Sequence, residues 1–281
     1  TICRLCNGAT AVGLRVLISP HNNQEYTLYQ CKNCGSRFFD PSQHEVLLNQ
    51  LYENISLRNP DKSTIEFKKD KYWENQTKKL IKKLGRQPQR VLDVGCRTGD
   101  FLLHYNPEVI KDAVELSSEY AETARRRGIV VYNDFLENVN FAGKKYDIVT
   151  AYAVLEHLSK PFMFLDKIDE IINSQGILAV LIPSFETLKV YLIDKMKKRW
   201  HMYSPPEHLN FFSQTLLDHY LSNKGFTLID RYWTSGGMFN PFRSIYFANR
   251  LFAKIMYFLD ENMPVNKVPI FDHMYSYYVK E

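Results

Sequence analysis

The sequence lacks any uninterrupted apolar run of the roughly 18 residues that a membrane-spanning helix needs. It also lacks the apolar core of a signal peptide near its first residues, which instead include Cys3, Arg4 and Cys6. These two absences argue against a spanning or secreted protein, so we expect a soluble protein of the cytoplasm.

A strong excess of charge of one sign is absent as well. The 36 Lys and Arg residues are nearly balanced by 31 Asp and Glu, which leaves a net charge of +5. Such a balance argues only weakly for nucleic acid as a partner. With 281 residues, 45% hydrophobic and 24% charged, the chain suits one large globular domain, alone or with a small module.

Cysteine is scarce, and four of the five cysteines form two pairs, Cys3-x-x-Cys6 and Cys31-x-x-Cys34. A glycine closely follows each pair, which lets the chain fold back so that backbone N–H groups can point at the sulfurs. Four thiolates at this spacing suit a tetrahedral structural zinc ion with no position left for water. Two disulfides, which need an oxidising compartment, and an iron site are the alternatives. We predict a zinc-ribbon-like module over residues 1–40.

Helical patterns follow the cysteine pairs and precede the main domain. Residues 41–87 carry apolar residues at helical spacing, and Ser63 and Glu66 form a capping box. We predict a helical linker there that also closes over a ligand. For its aromatic residues Tyr72 and Trp73, packing between helices is an alternative to ligand contact.

The stretch from Arg90 to Leu102, RVLDVGCRTGDFL, predicts a strand, a tight glycine turn and the start of a helix over 99–105. Strands and helices then alternate as far as residue 183. Such alternation predicts a parallel sheet with helices on both faces, and strands at 226–233 and 273–279 complete it as an antiparallel pair. The fold class is therefore α/β, a Rossmann-like doubly wound sheet over 88–281.

Ligands of such sheets bind beyond the carboxyl ends of the strands. This rule places Gly95, Glu115, Asp134 and the turn 151–157 along one rim. An acid at the end of the second strand, roughly 20 residues after the glycine turn, is where nucleotide-binding βαβ units hold a ribose. The paired signal predicts a nucleotide-like ligand more strongly than the glycine turn alone.

The segments VLDVGCRTGDFL, VELS and YDIVTAYAVLEHL resemble the successive motifs of class I S-adenosylmethionine-dependent methyltransferases, over most of the chain. The resemblance implies S-adenosylmethionine as the cofactor, with an acid after the third strand for the adenine amino group and an apolar neighbour on the ring. The residues that it assigns to the cofactor are Asp93, Gly95, Cys96, Arg97, Gly99, Glu115, Leu116, Asp134, Phe135 and Ala151. Arg97 departs from the family pattern, which has its middle glycine there.

Residues 184–212 interrupt the alternation and lie where insertions cover the substrate end of such a sheet. Their YSPPEHLNFFS run resembles a segment of small-molecule and sugar-modifying methyltransferases that also carry an N-terminal four-cysteine module. In some of those a histidine here is the proposed base, so we assign that role to His208 and name Glu207 and Tyr203 as further catalytic candidates. Glu156 and His157, in contrast, are interpreted as a turn that shapes the pocket wall.

These features favour an enzyme that methylates a small acceptor: a sugar, a nucleotide-linked sugar or another intermediate of glycan or secondary metabolism. The basic run 195–199 is either a solvated helix face or a site for a phosphorylated acceptor. Two alternatives remain, an RNA or protein methyltransferase that uses the zinc module as its reader, and a non-catalytic cofactor-binding scaffold suggested by Arg97. The apolar stretch 242–260 would pack on the core, on a second subunit of a homodimer or against a membrane surface.

Overall fold

The computed structural model describes residues 1–40, 66–234 and 267–281. The predicted capping residue Ser63 and the apolar stretch 242–260, with its proposed homodimer contact, lie outside the described residues. Within them, no helix combines the length and the apolar character that crossing a bilayer requires.

The strands fall into two sheets. Their bounds are β1 Ala11–Ile18, β2 Glu25–Cys31, β3 Arg37–Phe39, β4 Arg90–Val94, β5 Ile110–Val114, β6 Val130–Tyr132, β7 Tyr146–Tyr152, β8 Ile172–Pro183, β9 Asn210–Phe211, β10 Phe226–Thr234 and β11 His273–Lys280. The larger sheet has seven strands in the order β10-β11-β8-β7-β4-β5-β6, and the smaller has the order β1-β2-β3-β9.

The larger sheet is parallel from β8 through β7, β4 and β5 to β6, while β11 and β10 are antiparallel. Its central strands are buried on both faces, which explains why they are nearly continuous apolar runs. The predicted α/β fold and its antiparallel C-terminal pair are confirmed.

The helices are α1 Glu66–Leu84, α2 Ser118–Arg126, α3 Pro161–Ile171, α4 Leu188–Lys195 and α5 Gln214–Ser222. Side-chain oxygens of Ser117, Thr187 and Ser213 accept hydrogen bonds from the first turns of α2, α4 and α5, as N-caps do. The helix predicted over 99–105 is wrong in extent, because only a 3₁₀ turn forms, over Leu102–His104. Gly99 has a left-handed φ of 79° and Tyr105 is extended, so helical backbone is confined to the few residues between them.

The smaller sheet joins the cysteine segment to the main domain. Strand β9, which comes from the 184–212 insertion, pairs with β3 and so completes the sheet. Cys3, Leu5 and Phe38 belong to the same buried cluster as Leu92 and Val149 of the large sheet. The insertion thus stands between the N-terminal segment and the carboxyl ends of the parallel strands.

Candidate functional site

The glycine turn between β4 and the 3₁₀ turn has the backbone that its sequence predicts. Gly95 and Gly99 have φ values of 77° and 79°, a region that favours glycine. A Cβ on Gly95 would come within 3.0 Å of Val154. Arg97 has a φ of 51°, and its guanidinium lies 5.3 Å from the centre of the Tyr120 ring. The turn therefore accepts an arginine whose side chain is directed toward α2.

Glu115 follows β5 and holds the glycine turn. Its two oxygens accept hydrogen bonds at 2.8 Å from the backbone N–H groups of Arg97 and Ser117. Asn133, which the sequence analysis missed, donates to the carbonyls of Glu115 (2.7 Å) and Leu116 (2.9 Å). Nothing in the sequence singles out the Asn133 side chain at the end of β6, except that it precedes Asp134. Glu115 and Leu116 thus lie beside the turn, on the predicted rim.

Asp93 is buried within β4, where Thr150 of β7 donates a 2.6 Å hydrogen bond to its carboxylate. Burial, together with the nearby charge of Glu115, raises the pKa of Asp93 to about 7. Thr150 was also missed, because its role depends on the parallel pairing of β4 with β7. Ala151 follows it and is fully buried.

Asp134 and Phe135 occupy the rim after β6. The Asp134 carboxylate accepts from the backbone N–H of Phe135 at 2.7 Å and from Asn138 at 2.9 Å. The Phe135 ring is 44% exposed, which leaves its face open to a flat partner. The neighbouring turn holds Cys96, which is buried.

Aromatic side chains close the other side of the glycine turn. Trp73 of α1 stacks on Tyr152, with an angle of 5° between the rings, and meets Phe101 edge-on. The hydroxyls of Tyr105 and Tyr152 are buried and have no hydrogen-bond partner among the described residues. Such unsatisfied groups are rare in proteins and point to a polar ligand or water. No motif in the sequence points to Tyr105 or Tyr152.

Hydrogen bonds join the turn after β7, residues 153–158, to the PPEH segment, residues 205–208. These two segments together are called the clasp. Nδ1 of His157 donates to the carbonyl of Glu207 at 2.7 Å, and the backbone N–H of Leu209 donates to the carbonyl of Glu156 at 2.7 Å. Asn210 donates further hydrogen bonds to carbonyls of the same turn. The ring centres of His157 and His208 are 4.8 Å apart. The structure therefore brings His208 to the turn that ends in His157.

Burial perturbs the ionisable groups of this clasp. It raises the pKa of Glu156 to about 8 and lowers the pKa of His157 to about 3. Burial also lowers the pKa of His208, whose Nδ1 donates to the carbonyl of Met202 at 2.9 Å. Perturbed groups that meet at the end of a parallel sheet are typical of functional sites.

Glu207 lies at the edge of the clasp. Its carboxylate is 3.3 Å from Nε2 of His21, which in turn is 2.8 Å from the hydroxyl of Ser204. The peptide bond between Pro205 and Pro206 is cis. His21 was missed, since nothing in the sequence connects it with a segment that begins about 180 residues later.

Tyr203 does not share this environment. Its side chain is fully buried among the rings of Trp200, Phe39 and Phe211, and its hydroxyl accepts a hydrogen bond from Arg37. These contacts make it a packing residue between the small sheet and the insertion. From the basic run, Arg199 donates to the carbonyls of Ile18 and Tyr203, and so serves the same packing.

The four N-terminal cysteines converge. Sγ of Cys3 is 3.8 Å from that of Cys34, and Sγ of Cys6 is 3.6 Å from that of Cys31, while all four sulfurs lie within 4.8 Å of one another. A disulfide has sulfurs at about 2.05 Å, so no pair is bonded. Zinc–sulfur bonds of about 2.3 Å in a tetrahedron separate the sulfurs by about 3.8 Å. The cluster therefore fits a single tetrahedral ion.

Comparison with known proteins agrees with this geometry. Residues 68–231 match a family described as Methyltransferase domain, which is more than half of the chain. The chain belongs to the methyltransferase-domain family. The predicted methyltransferase relationship is confirmed at this level.

A curated relative is an uncharacterised protein of Methanocaldococcus jannaschii, 26% identical over 137 residues. The match covers 49% of this chain and 64% of that protein, so the chain spans less than two thirds of the relative's length.

Similar solved structures include magnesium protoporphyrin IX methyltransferase from Synechocystis PCC 6803 with bound SAH, at a TM-score of 0.53 and 12% identity over 84% of this chain and 95% of that one. The N-methyltransferase NodS from Bradyrhizobium japonicum WM9, in complex with SAH, has a TM-score of 0.52 and 12% identity over 83% and 98%. The plantazolicin methyltransferase BpumL, with a substrate analogue and SAH, has a TM-score of 0.52 and 13% identity over 85% of this chain and 91% of that one. At these identities the likeness establishes the fold.

Proposed function

We propose that this chain transfers a methyl group from S-adenosylmethionine to a hydroxyl oxygen of a small acceptor, such as a sugar or a nucleotide-linked sugar. Other intermediates of glycan or secondary metabolism belong to the same acceptor class. The observation that carries the proposal is the position of His208, a half-buried imidazole with a defined tautomer at the carboxyl ends of the parallel strands. Family membership supports the reaction type, and solved relatives named for small-molecule methylation support the class of acceptor.

The cofactor would be held by the turn from Gly95 to Gly99, by Asp93 and Glu115, and by the exposed Phe135 ring beside Asp134. Gly95 and Gly99 have positive φ values and no side chain, so a ligand can come close to the backbone of the turn at these positions. Two buried hydroxyls without partners, those of Tyr105 and Tyr152, offer further polar contacts. When bound, S-adenosylmethionine supplies a methyl carbon activated by a sulfonium.

His208 would accept the proton of the acceptor hydroxyl. Because a carbonyl oxygen can only accept, the contact with Met202 fixes the proton of the neutral ring on Nδ1 and leaves the lone pair on Nε2. Burial lowers the pKa of the ring, so the neutral and basic form prevails at pH 7. Glu207 would hold the acceptor from the edge of the clasp.

We further propose that the cysteine cluster holds a structural zinc ion, since all four ligands come from the protein and no position remains for a substrate. Residues 1–40 would then form the zinc module, 41–87 the linker and lid, and 88–281 the catalytic domain with its insertion at 184–212. The nearness of β9 to the zinc module supports a role in shaping the acceptor side.

The test separates cofactor binding from turnover. Calorimetry with S-adenosylmethionine and with its demethylated product measures cofactor binding. Turnover is measured as release of the demethylated product when a panel of nucleotide-linked sugars is offered as acceptors. His208→Asn should cut turnover by about 100-fold or more, as loss of a general base does, and leave the dissociation constant for the cofactor unchanged. His219→Asn, on the surface of α5, is the matched control. Unchanged turnover in His208→Asn would reject the base, and no binding of either cofactor form would favour a scaffold.

A further inference from the structure

Three side chains at the clasp form a cluster with metal-binding chemistry. One ligand atom each from Glu156, His157 and His208 lies within 4.8 Å of the others. Nε2 of His157 is 4.0 Å from a carboxylate oxygen of Glu156. Two imidazoles and one carboxylate form the protein ligand set of many catalytic zinc sites and of other first-row metal sites that keep positions open.

The two imidazoles are held as metal ligands usually are. Nδ1 of His157 donates to the carbonyl of Glu207, and Nδ1 of His208 donates to that of Met202. Ligating histidines almost always donate their second ring N–H in this way, which fixes the tautomer and directs the other nitrogen at the ion. Neither Nε2 has a hydrogen-bond partner within the described ranges. Both lone pairs are therefore free.

The carboxylate of Glu156 is an independent indication. The residue is 3% exposed, and its Oε2 is buried with no hydrogen-bond partner among the described residues. None of the described lysines or arginines forms an ion pair with it. A buried carboxylate with one oxygen left without a hydrogen-bond partner is costly, and a proton or a cation relieves the cost. A divalent ion shared with two imidazoles would supply that cation.

We infer that Glu156, His157 and His208 bind a divalent first-row metal ion at the carboxyl ends of the parallel strands, where the acceptor is proposed to bind. Zinc is the ion used below for geometry and for the test. Bonds of about 2.0–2.2 Å to nitrogen and oxygen place tetrahedral ligand atoms about 3.3 Å apart. Binding would therefore draw the three side chains together by about 1 Å. The remaining coordination position would take an oxygen of the acceptor.

A bound ion changes the part that His208 plays. With its Nε2 lone pair on the metal, His208 would be a ligand and could not be the base proposed above. The ion would instead lower the pKa of the hydroxyl that it binds, so that methyl transfer to a hydroxyl would stand without that base. The hydroxyl proton leaves to water, the oxygen forms the bond to the methyl carbon, and the electrons of the broken C–S bond stay on sulfur. This catalytic role rests on the proposed function, whereas binding of the ion does not.

The experiment counts zinc in untagged protein after equilibrium dialysis against micromolar zinc. We expect two equivalents per chain in the wild type, and one in Glu156→Gln, in His157→Gln and in His208→Gln. The surface variant His219→Gln should keep two. Cobalt added to protein that already holds one zinc should give weak visible bands without the intense thiolate charge-transfer bands of the cysteine site.

A single equivalent in the wild type, assigned to the cysteines by the thiolate bands of its cobalt form, would overturn the inference, and so would a second equivalent that all three ligand variants retain. Thiolate charge-transfer bands from the second equivalent would also overturn it. The wild-type count decides even if a variant fails to fold. Two zinc ions without any methyl transfer would reject the proposed function alone, and methyl transfer by protein that binds only one would reject the metal site alone.

Discussion

Arg97 has the left-handed backbone that the family pattern usually reserves for glycine. In this conformation an L-residue loses roughly 1–2 kcal/mol to the approach of its Cβ to the carbonyl. The contact of the Arg97 guanidinium with the Tyr120 ring offsets part of that cost, because cation–π contacts at exposed sites stabilise a protein by about 0.5–1 kcal/mol. The side chain thus has a partner in the protein that does not depend on a ligand.

Arg97→Gly should therefore bind S-adenosylmethionine at least as tightly as the wild type, within about threefold or better. The reason is that the guanidinium packs on α2, and its removal only relieves the turn. Calorimetry measures the dissociation constant, with Arg126→Ala on the exposed face of α2 as the control for loss of a nearby charge, since Arg126 pairs with Glu122 of the same helix. Binding weakened tenfold or more by Arg97→Gly alone would mean that the arginine contacts the carboxylate of the cofactor.

Asp93 predicts a dependence of stability on pH. Its pKa of about 7 in the fold lies above the usual value, so its contribution to stability is full below pH 4 and is lost as the pH rises through 7. The loss is about 1.4 kcal/mol for each unit by which the pKa is raised. Asp93→Asn keeps an acceptor for Thr150 without the charge, so it should be more stable than the wild type at pH 8 and equal at pH 4.

Urea unfolding at pH 4, 6 and 8 measures this difference, with Glu108→Gln as a control for an exposed acid. A difference between Asp93→Asn and the wild type that does not change with pH would contradict the prediction.

Asp147 joins three elements at the amino end of β7. Its carboxylate accepts from Arg86 at 2.7 Å, from the backbone N–H of Gln89 at 2.6 Å and from Asn173 of β8 at 3.0 Å. Burial opposes the charge, but these donors outweigh it and lower the pKa of Asp147. One side chain therefore fixes the start of β4 against its neighbours.

Asp147→Asn should lower the free energy of unfolding by about 2 kcal/mol at pH 7, because charge-assisted hydrogen bonds are lost. The pKa is depressed in the fold, so the stabilisation exists above pH 4 and disappears as the pH falls through the folded value. The difference from the wild type should accordingly shrink below pH 4. Denaturant titration checks it, and an equal loss at pH 7 and pH 2.5 would contradict it.

The elements near the site differ in how far the sequence predicts them. The strands of the parallel sheet follow from apolar runs, and Asp93, Glu115 and Asp134 follow from the family motifs. Thr150 and Asn133 contribute through pairing between strands, which local periodicity does not contain. A 3₁₀ turn forms where the apolar spacing predicts a helix, because the left-handed backbone of Gly99 and the extended Tyr105 leave only a few helical residues between them.

The clasp was predicted least well. Its hydrogen bond from His157 to Glu207 spans 50 residues. The family resemblance assigns a role to His208, but no local pattern places it beside His157. Their shared environment arises only once β9 pairs with β3 and closes the insertion over the sheet.

At the scale of the whole molecule, hydrogen bonds join the cysteine cluster to the insertion and α5, which include the proposed acceptor side. Ser213 of the α5 N-cap donates a 2.5 Å hydrogen bond to the carbonyl of Cys34 and accepts one at 3.2 Å from Ser36. The backbone N–H of Phe39 donates to the carbonyl of Leu209, next to His208. A change at the cysteines therefore reaches the PPEH segment through short contacts.

Loss of the proposed zinc ion should consequently affect turnover more than cofactor binding. Cys6→Ser removes one ligand, so we expect a zinc content one equivalent below that of the wild type and a melting temperature lowered by at least several degrees, since binding to the native state stabilises it. The glycine turn is held by Glu115 of the larger sheet, so S-adenosylmethionine should bind within about threefold of the wild-type affinity while product release falls tenfold or more. Cys96→Ala, which changes the fifth cysteine, should keep the zinc. Cys6→Ser protein that has lost zinc but keeps both its melting temperature and its turnover would show that the cluster does not support the acceptor side.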